Sequence, residues 1–163
     1  MHRIAAPRIV LSDGGTGFGK ALKGEWRKSK HQRCIFHVFC QIRRYTTTNP
    51  KTKAGFELYQ LGKDLLNIVD KEESKKWIKR LFEWDLRYKS FLEEKTRDAN
   101  GTYRPTHEKL IKAKNSVFKL LNENALFIFT VRVSNLHLQF SIIFQLYNNN
   151  NKITRKIYLF ANN

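Results

Sequence analysis

Asp13 is the first acidic residue of the chain and the side chain best placed to do chemistry. It ends a largely apolar run, Arg8–Ser12, whose composition is typical of a β-strand, and glycines follow it at once. A carboxylate at the carboxyl end of a parallel strand lies where α/β proteins bind ligands and metal ions. The position therefore predicts a catalytic or metal-binding aspartate at the edge of a sheet.

Cys34, His37 and Cys40 form a second group of reactive side chains, at three-residue spacing. Such soft ligands bind Zn²⁺, but a tetrahedral site needs four of them, usually in two pairs. Taken alone, the two thiols are more typical of small packed side chains. The place of His37 is more informative, because we expect it to begin a helix beside the strand that carries Asp13.

The residues from Gly14 to Ala21 nearly form a phosphate-binding loop. They match the pattern G-x-x-x-x-G-K-[ST] except at its last position, and they lie between an expected strand and an expected helix. Ala21 has no hydroxyl for Mg²⁺, and no later apolar run ends in an aspartate that would complete the site. A nucleotide-binding loop is thus one alternative, and a tight glycine turn beside Asp13 is the other.

The elements that must position these side chains form a βαβα pattern. Extended segments are predicted at Arg8–Ser12 and Gln32–Phe36, and helices over Thr16–Trp26 and from His37 into Tyr45. We therefore expect residues 1–49 to form one α/β region.

From residue 50 to residue 126 the hydrophobic pattern becomes helical. Three amphipathic helices are predicted, the second opening with a capping box from Asp70 to Glu73, and a turn is predicted at Asp98–Gly101. The third is expected to begin near Pro105. The apolar faces expected to point inward are Leu58, Leu61, Leu65 and Ile68; Trp77, Leu81, Trp84, Tyr88 and Phe91; and Leu110, Ala113, Val117 and Leu121. This pattern predicts an all-helical insertion.

Residues 127–163 differ in composition from the rest of the chain. No acidic residue follows Glu123, and the even positions from Leu136 to Leu146 are all apolar, which is the period of a β-strand. An amphipathic strand without acidic residues favours aggregation. We interpret this segment as an aberrant or frameshifted tail, with a true edge strand as the alternative.

The charge of the chain indicates its partner. Its 163 residues contain 31 Lys and Arg against 14 Asp and Glu, a net charge of +17, which is typical of proteins that bind nucleic acids. Two cysteines make no disulfide framework, and no signal peptide or membrane-spanning segment is evident. We therefore expect a cytoplasmic protein without a membrane partner.

Several motifs together resemble a known family. Asp13-Gly14-Gly15 is followed by the segment from Gln32 to His37 and then by Arg43-Arg44. This order resembles bacterial insertion-sequence transposases of the Mutator-like class, DDE type, which carry a C/D-x-x-H signature after their second catalytic aspartate. Cys34 and His37 match that signature. The resemblance covers about residues 8–126, including the helix with Trp77 and Trp84.

The resemblance implies a fold and an activity. The fold is an RNase H-like sheet with a helical insertion, so this chain would be a partial RNase H-like fragment. The activity is the cutting and joining of DNA by an enzyme that in intact form can be a homo-oligomer. Two aspartates and one glutamate hold two Mg²⁺ or Mn²⁺ ions for the in-line displacement.

Asp13 would be the second of these three carboxylates. The seven residues before Arg8 contain no earlier aspartate, and the tail contains no glutamate. The resemblance thus implies a central transposase fragment that binds DNA without cutting it. The alternatives are a P-loop ATPase and a basic nucleic-acid-binding module with no catalytic ancestry. The cations expected to contact DNA are Arg33, Arg43, Arg44, Lys51 and Lys53, followed by Lys75, Lys76, Lys79 and Arg80.

Overall fold

A computed structural model describes residues 6–15, 17–126 and 158–160 of the chain, which form a mixed α/β fold. In chain order the elements are β1 (Ile9–Ser12), α1 (Phe18–Glu25), β2 (Lys30–Arg33), α2 (Ile35–Thr46), α3 (Lys53–Asp64), a 3-10 turn (Leu65–Asn67), α4 (Lys71–Arg87), α5 (Lys89–Glu93), β3 (Lys95–Arg97), β4 (Tyr103–Pro105), α6 (Glu108–Asn122) and β5 (Tyr158–Phe160).

The described residues pack as two compact units. The sheet unit combines the described residues up to His37 with those from Leu120 onward, and the helical unit is Val38–Lys119. These bounds differ from the three segments expected from composition, 1–49, 50–126 and 127–163. Helices α2 and α6 each span a boundary between the units, and the division into three segments stays a prediction.

The sheet unit is built around β1, which is the middle strand of a three-stranded sheet. Strand β2 lies parallel to β1 with Ser12 opposite Arg33, and β5 pairs antiparallel on the other side. A parallel pair needs a crossover connection, which α1 provides. The order β1–α1–β2–α2 agrees with the predicted βαβα pattern. The predicted strand at 32–36 is wrong at its end, because Ile35 and Phe36 already belong to α2.

Part of the predicted tail enters this sheet. Residues 158–160 form β5, whose Leu159 lies opposite Val10. The alternating segment Leu136–Leu146 lies outside the described residues. The interpretation of residues 127–163 as an aberrant tail therefore stays a prediction.

The helical unit begins its helices where the sequence provides capping side chains. Thr52 accepts a hydrogen bond from the backbone N–H of Gly55 at the start of α3, and Asp70 accepts one from Glu73 at the start of α4. The Glu73 carboxylate in turn accepts from the backbone N–H of Val69, at 2.8 Å. The predicted helix start at Asp70 is confirmed, with the return bond shifted by one residue from the usual capping box.

The predicted apolar faces form the core of this unit. Trp77 and Trp84 are each 2% exposed, and their indole N–H groups donate to the carbonyl oxygens of Leu61 and Ala54. The other predicted residues that are buried are Leu58, Leu61, Leu65, Leu81, Leu110, Ala113 and Val117. Ile68, Tyr88, Phe91 and Leu121 are half-buried.

The predicted insertion is not all-helical. Strands β3 and β4 pair antiparallel on either side of the turn predicted at Asp98–Gly101. Because Tyr103–Pro105 belongs to this hairpin, α6 begins at Glu108 rather than near Pro105. Among the helices that the structure describes, none combines the length and the apolar character needed to cross a bilayer.

Candidate functional site

Asp13 lies just beyond the carboxyl end of β1, at the edge where β2 also ends. The pairing of the two strands continues one residue past β2, since the backbone N–H of Cys34 donates to the Ser12 carbonyl at 2.8 Å. The half-buried Asp13 side chain accepts a hydrogen bond from the backbone N–H of Gly15 at 2.9 Å. The sheet thus brings Asp13 to the edge from which Cys34 leads into the helix that carries His37.

Arg33 lies against the glycine that follows Asp13. A Cβ atom on Gly14 would lie 1.1 Å from Arg33 Nη1, and Gly14 has a φ of +77°. Arg33 is opposite Ser12 in the parallel register, so the two side chains are on the same face of the sheet. Glycine adopts this backbone conformation without strain, whereas any other residue would also displace the flexible end of the Arg33 side chain.

The charges at this edge influence one another. Burial lowers the pKa of Arg33, and the neighbouring Asp13 carboxylate opposes that shift. Burial also lowers the pKa of His37, with Asp13 opposing the shift and Arg33 reinforcing it. Asp13, Arg33 and His37 therefore form one electrostatic group, in which burial favours the neutral imidazole of His37.

Two nitrogen atoms of this group have unused hydrogen-bonding capacity. Arg33 Nη1 and His37 Nδ1 are buried and have no hydrogen-bond partner within the described part of the chain. A buried polar atom without a partner costs about 1–3 kcal/mol, so native proteins contain few of them. Their occurrence in two neighbouring side chains marks this edge as the candidate site of the sheet unit.

Ser12 and His31 add a contact that the sequence did not predict. Ser12 Oγ lies 2.7 Å from His31 Nε2. Burial lowers the pKa of His31, Arg33 lowers it further, and Glu123 opposes the shift. The alternation of a strand places His31 on the same face as Arg33, which was the one available sequence signal. The partner of His31, Ser12, could be identified only from the parallel register of β1 and β2.

The side chains at this edge do not by themselves fit a two-metal site. Among the described residues, no three His, Cys, Asp or Glu side chains are grouped so that they could hold a metal ion. Asp13 is one carboxylate, and the guanidinium of Arg33 beside it opposes the approach of a divalent cation. Zinc binding by Cys34, His37 and Cys40 likewise gains no support, because these three residues are not grouped as metal ligands in the described part of the chain. Cys34 is buried, and burial raises the pKa of the half-buried Cys40 thiol.

The near match to a phosphate-binding loop has different hydrogen bonds from those that a phosphate needs. Such a loop directs its backbone N–H groups at the ligand. Here the N–H of Gly14 donates to Ser12 Oγ at 3.2 Å, and the N–H of Gly15 donates to Asp13. Two donors of the loop are therefore already engaged by its own side chains.

The predicted DNA contacts differ in how exposed they are. Arg33 is half-buried at the Asp13 edge, and Arg43 lies over the Phe39 ring at 5.6 Å. Arg44, Lys51, Lys53 and Lys76 are exposed. Lys75, Lys79 and Arg80 form exposed ion pairs with Glu72, Glu83 and Asp64, respectively. The predicted cations therefore do not all lie on a free surface.

A scan against protein-family models, a search of curated proteins and a search of solved structures each found no match to this chain. The function is therefore argued from the candidate site, the surface and the charge.

Proposed function

We propose that this chain is part of a DNA transposase of the Mutator-like class and that it binds duplex DNA. The observation that carries the proposal is the shared sheet edge of Asp13 and the segment Cys34–His37, which are the residues that match the signature of that class. The parallel pair β1 and β2, with its crossover helix, supports an RNase H-like fold as part of the same proposal.

The charge of the chain supports DNA as the partner. A net charge of +17 attracts a polyanion at long range and raises its local concentration. In the helical unit the acidic side chains are largely engaged in ion pairs, such as Arg87 with Glu57 and Lys114 with Asp85. The exposed cations without an acidic partner among the described residues then give the surface its charge. A cytoplasmic location belongs to the proposal through the cysteine content of the sequence, and the family resemblance adds that the intact enzyme can be a homo-oligomer.

Fluorescence anisotropy of labelled duplexes tests the binding. The full chain should bind two unrelated duplexes with similar affinity, because phosphate contacts carry no sequence information. Between about 50 and 200 mM salt, log K should fall linearly with log salt concentration, with a slope of about −0.9 for each phosphate contacted. A complex insensitive to salt, or one that strongly prefers one unrelated duplex, would contradict the proposal.

A nicking assay tests the part played by Asp13. With Mg²⁺ or Mn²⁺ the chain alone should not cut supercoiled plasmid, because one carboxylate beside a guanidinium does not organise two metal ions. Cutting by the unaltered chain that disappears in Asp13→Asn would show that the site is complete. Saturable ATP·Mg²⁺ binding that Lys20→Ala abolishes would instead favour a nucleotide-binding loop.

A further inference from the structure

The hairpin of β3 and β4 is exposed on both of its faces. All six residues of its two strands are exposed, with Tyr103 at 66% and the Arg104 side chain at 73%. A two-stranded ribbon that packs on nothing is marginally stable in water. The contacts that stabilise this hairpin must therefore come from its turn and from its base.

The carboxylate of Asp98 organises the turn of this hairpin. It accepts from the backbone N–H groups of Asn100 and Thr102, and it pairs with Arg104 at 3.0 Å. Gly101 supplies a φ of +80° that closes the turn, and its N–H donates to the carbonyl of Asp98. One acidic side chain thus holds both ends of the loop.

The base of the hairpin is anchored to α5. The backbone N–H of Thr106 donates to the Glu94 carbonyl at 2.8 Å. His107 stacks on Phe91 with ring centroids 3.7 Å apart, and its Nε2 lies 3.0 Å from a Glu94 carboxylate oxygen. The ribbon is therefore ordered at both ends and left uncovered between them.

The two faces of the hairpin differ in charge. Arg97 is opposite Tyr103 and Lys95 is opposite Pro105, so these four side chains share one face. In the described part of the chain neither Lys95 nor Arg97 has an acidic partner. Arg104, on the other face, is neutralised by Asp98. One face thus combines two uncompensated cations with an exposed aromatic ring.

We propose that the hairpin Lys95–Pro105 is a DNA-binding ribbon that enters the major groove of duplex DNA with the face of Lys95, Arg97 and Tyr103, so that the two cations contact the phosphates that flank the groove. The major groove of B-DNA, about 12 Å wide, admits a two-stranded β-ribbon, whereas the major groove of A-form RNA is too narrow for side chains to reach. The inference takes its partner from the proposed function and names the surface that binds it.

Removal of the two cations is the first test. In the full chain, Lys95→Gln/Arg97→Gln is compared with Lys71→Gln/Lys109→Gln, which removes the same charge from exposed helix positions that are not among the expected DNA contacts. Each lost phosphate contact lowers the salt slope by about 1. In the hairpin variant the magnitude of the salt slope should therefore fall by about 2 and the affinity by at least about tenfold, whereas the slope of the control variant should change by less than about 1. Equal losses in the two variants would overturn the inference.

Asp98→Ala is the second test, because it separates the shape of the ribbon from its charge. Removing a carboxylate makes the chain more positive, so charge alone predicts tighter DNA binding. Loss of the turn predicts weaker binding, by about threefold or more, because the ribbon must then be ordered on binding. Glu83→Ala removes an exposed carboxylate from α4 and should tighten binding slightly. Tighter binding by both variants would contradict a preorganised ribbon.

A duplex RNA of matched sequence completes the design. The loss caused by Lys95→Gln/Arg97→Gln should be clearly smaller on RNA than on DNA, and an equal loss would overturn the assignment to the major groove. An unaltered chain that does not bind duplex DNA at all would refute the proposed function. An unaltered chain that binds, together with equal losses in the two double variants, would refute the hairpin alone.

Discussion

The helical unit and the sheet unit differ in how their buried polar atoms are paired. In the helical unit the indole nitrogens of Trp77 and Trp84 are buried and donate to backbone carbonyls of α3. In the sheet unit Arg33 Nη1 and His37 Nδ1 are buried without a partner in the described residues. A fully paired core favours stability, whereas unpaired groups at the edge of a sheet favour a site. We therefore expect the chemistry of the chain at the Asp13 edge and a structural role for the core of the helical unit.

The largest expected effect is on the core of the helical unit. Trp84→Ala should lower the free energy of unfolding by about 3–5 kcal/mol, because it removes a ring that is 2% exposed and leaves the Ala54 carbonyl without its donor. Urea denaturation measures the change. Leu86, in the same helix and 77% exposed, is the control: Leu86→Ala should change the free energy by no more than about 0.5 kcal/mol. Similar losses in both variants would contradict the assignment of Trp84 to a buried, paired core.

The next effect is in the sheet unit. Gly14→Ala should destabilise it by about 1–3 kcal/mol, because the new methyl group meets the guanidinium of Arg33 and the backbone has a positive φ. Gly24→Ala, in α1 with no atom within 4 Å of the added Cβ, should stabilise the unit by about 0.5–1 kcal/mol. Hydrogen exchange of the β1 and β2 amides reports the change locally. Equal protection in the two variants would mean that Arg33 does not need the space at Gly14.

A smaller effect concerns pH. Burial lowers the pKa of both His31 and His37 in the folded chain. At a pH near 6.5, the ordinary pKa of histidine, the unfolded chain therefore binds more protons than the folded chain. Stability should therefore decrease as the pH falls below about 6.5. Urea midpoints at two pH values, one on each side of 6.5, measure this. His31→Gln/His37→Gln should flatten the dependence, and an unchanged slope in that variant would assign it to other groups.

The smallest effect is expected from the tail. Deletion of residues 127–163 should leave the helical content of the helical unit unchanged, because its core is formed by side chains of α3, α4 and α6. Circular dichroism and the fluorescence of Trp77 and Trp84 measure this, and solubility should improve. Loss of helix on deletion would show that the tail stabilises the helical unit, contrary to what its composition predicts.

The elements best predicted from sequence were those specified by neighbouring residues. The inward positions of α3, α4 and α6 follow from helical periodicity, and the start of α4 follows from Asp70 three residues before Glu73. Asp13 could be placed at a strand end because the apolar run and the glycines lie beside it in the chain. The hairpin could not be predicted, since strands of only three residues are too short for their periodicity to distinguish them from a loop.

The candidate site depended on contacts between residues distant in the chain. Arg33 was expected at a DNA surface, but the parallel register of β1 and β2 places it against Gly14. The same register brings His31 to Ser12, and a strand from residues 158–160 covers the other edge of β1. A sequence specifies local conformation through interactions a few residues apart, which periodicity and capping residues reveal. Register and strand order arise only when distant segments pack, so the tertiary structure alone decided which side chains surround Asp13.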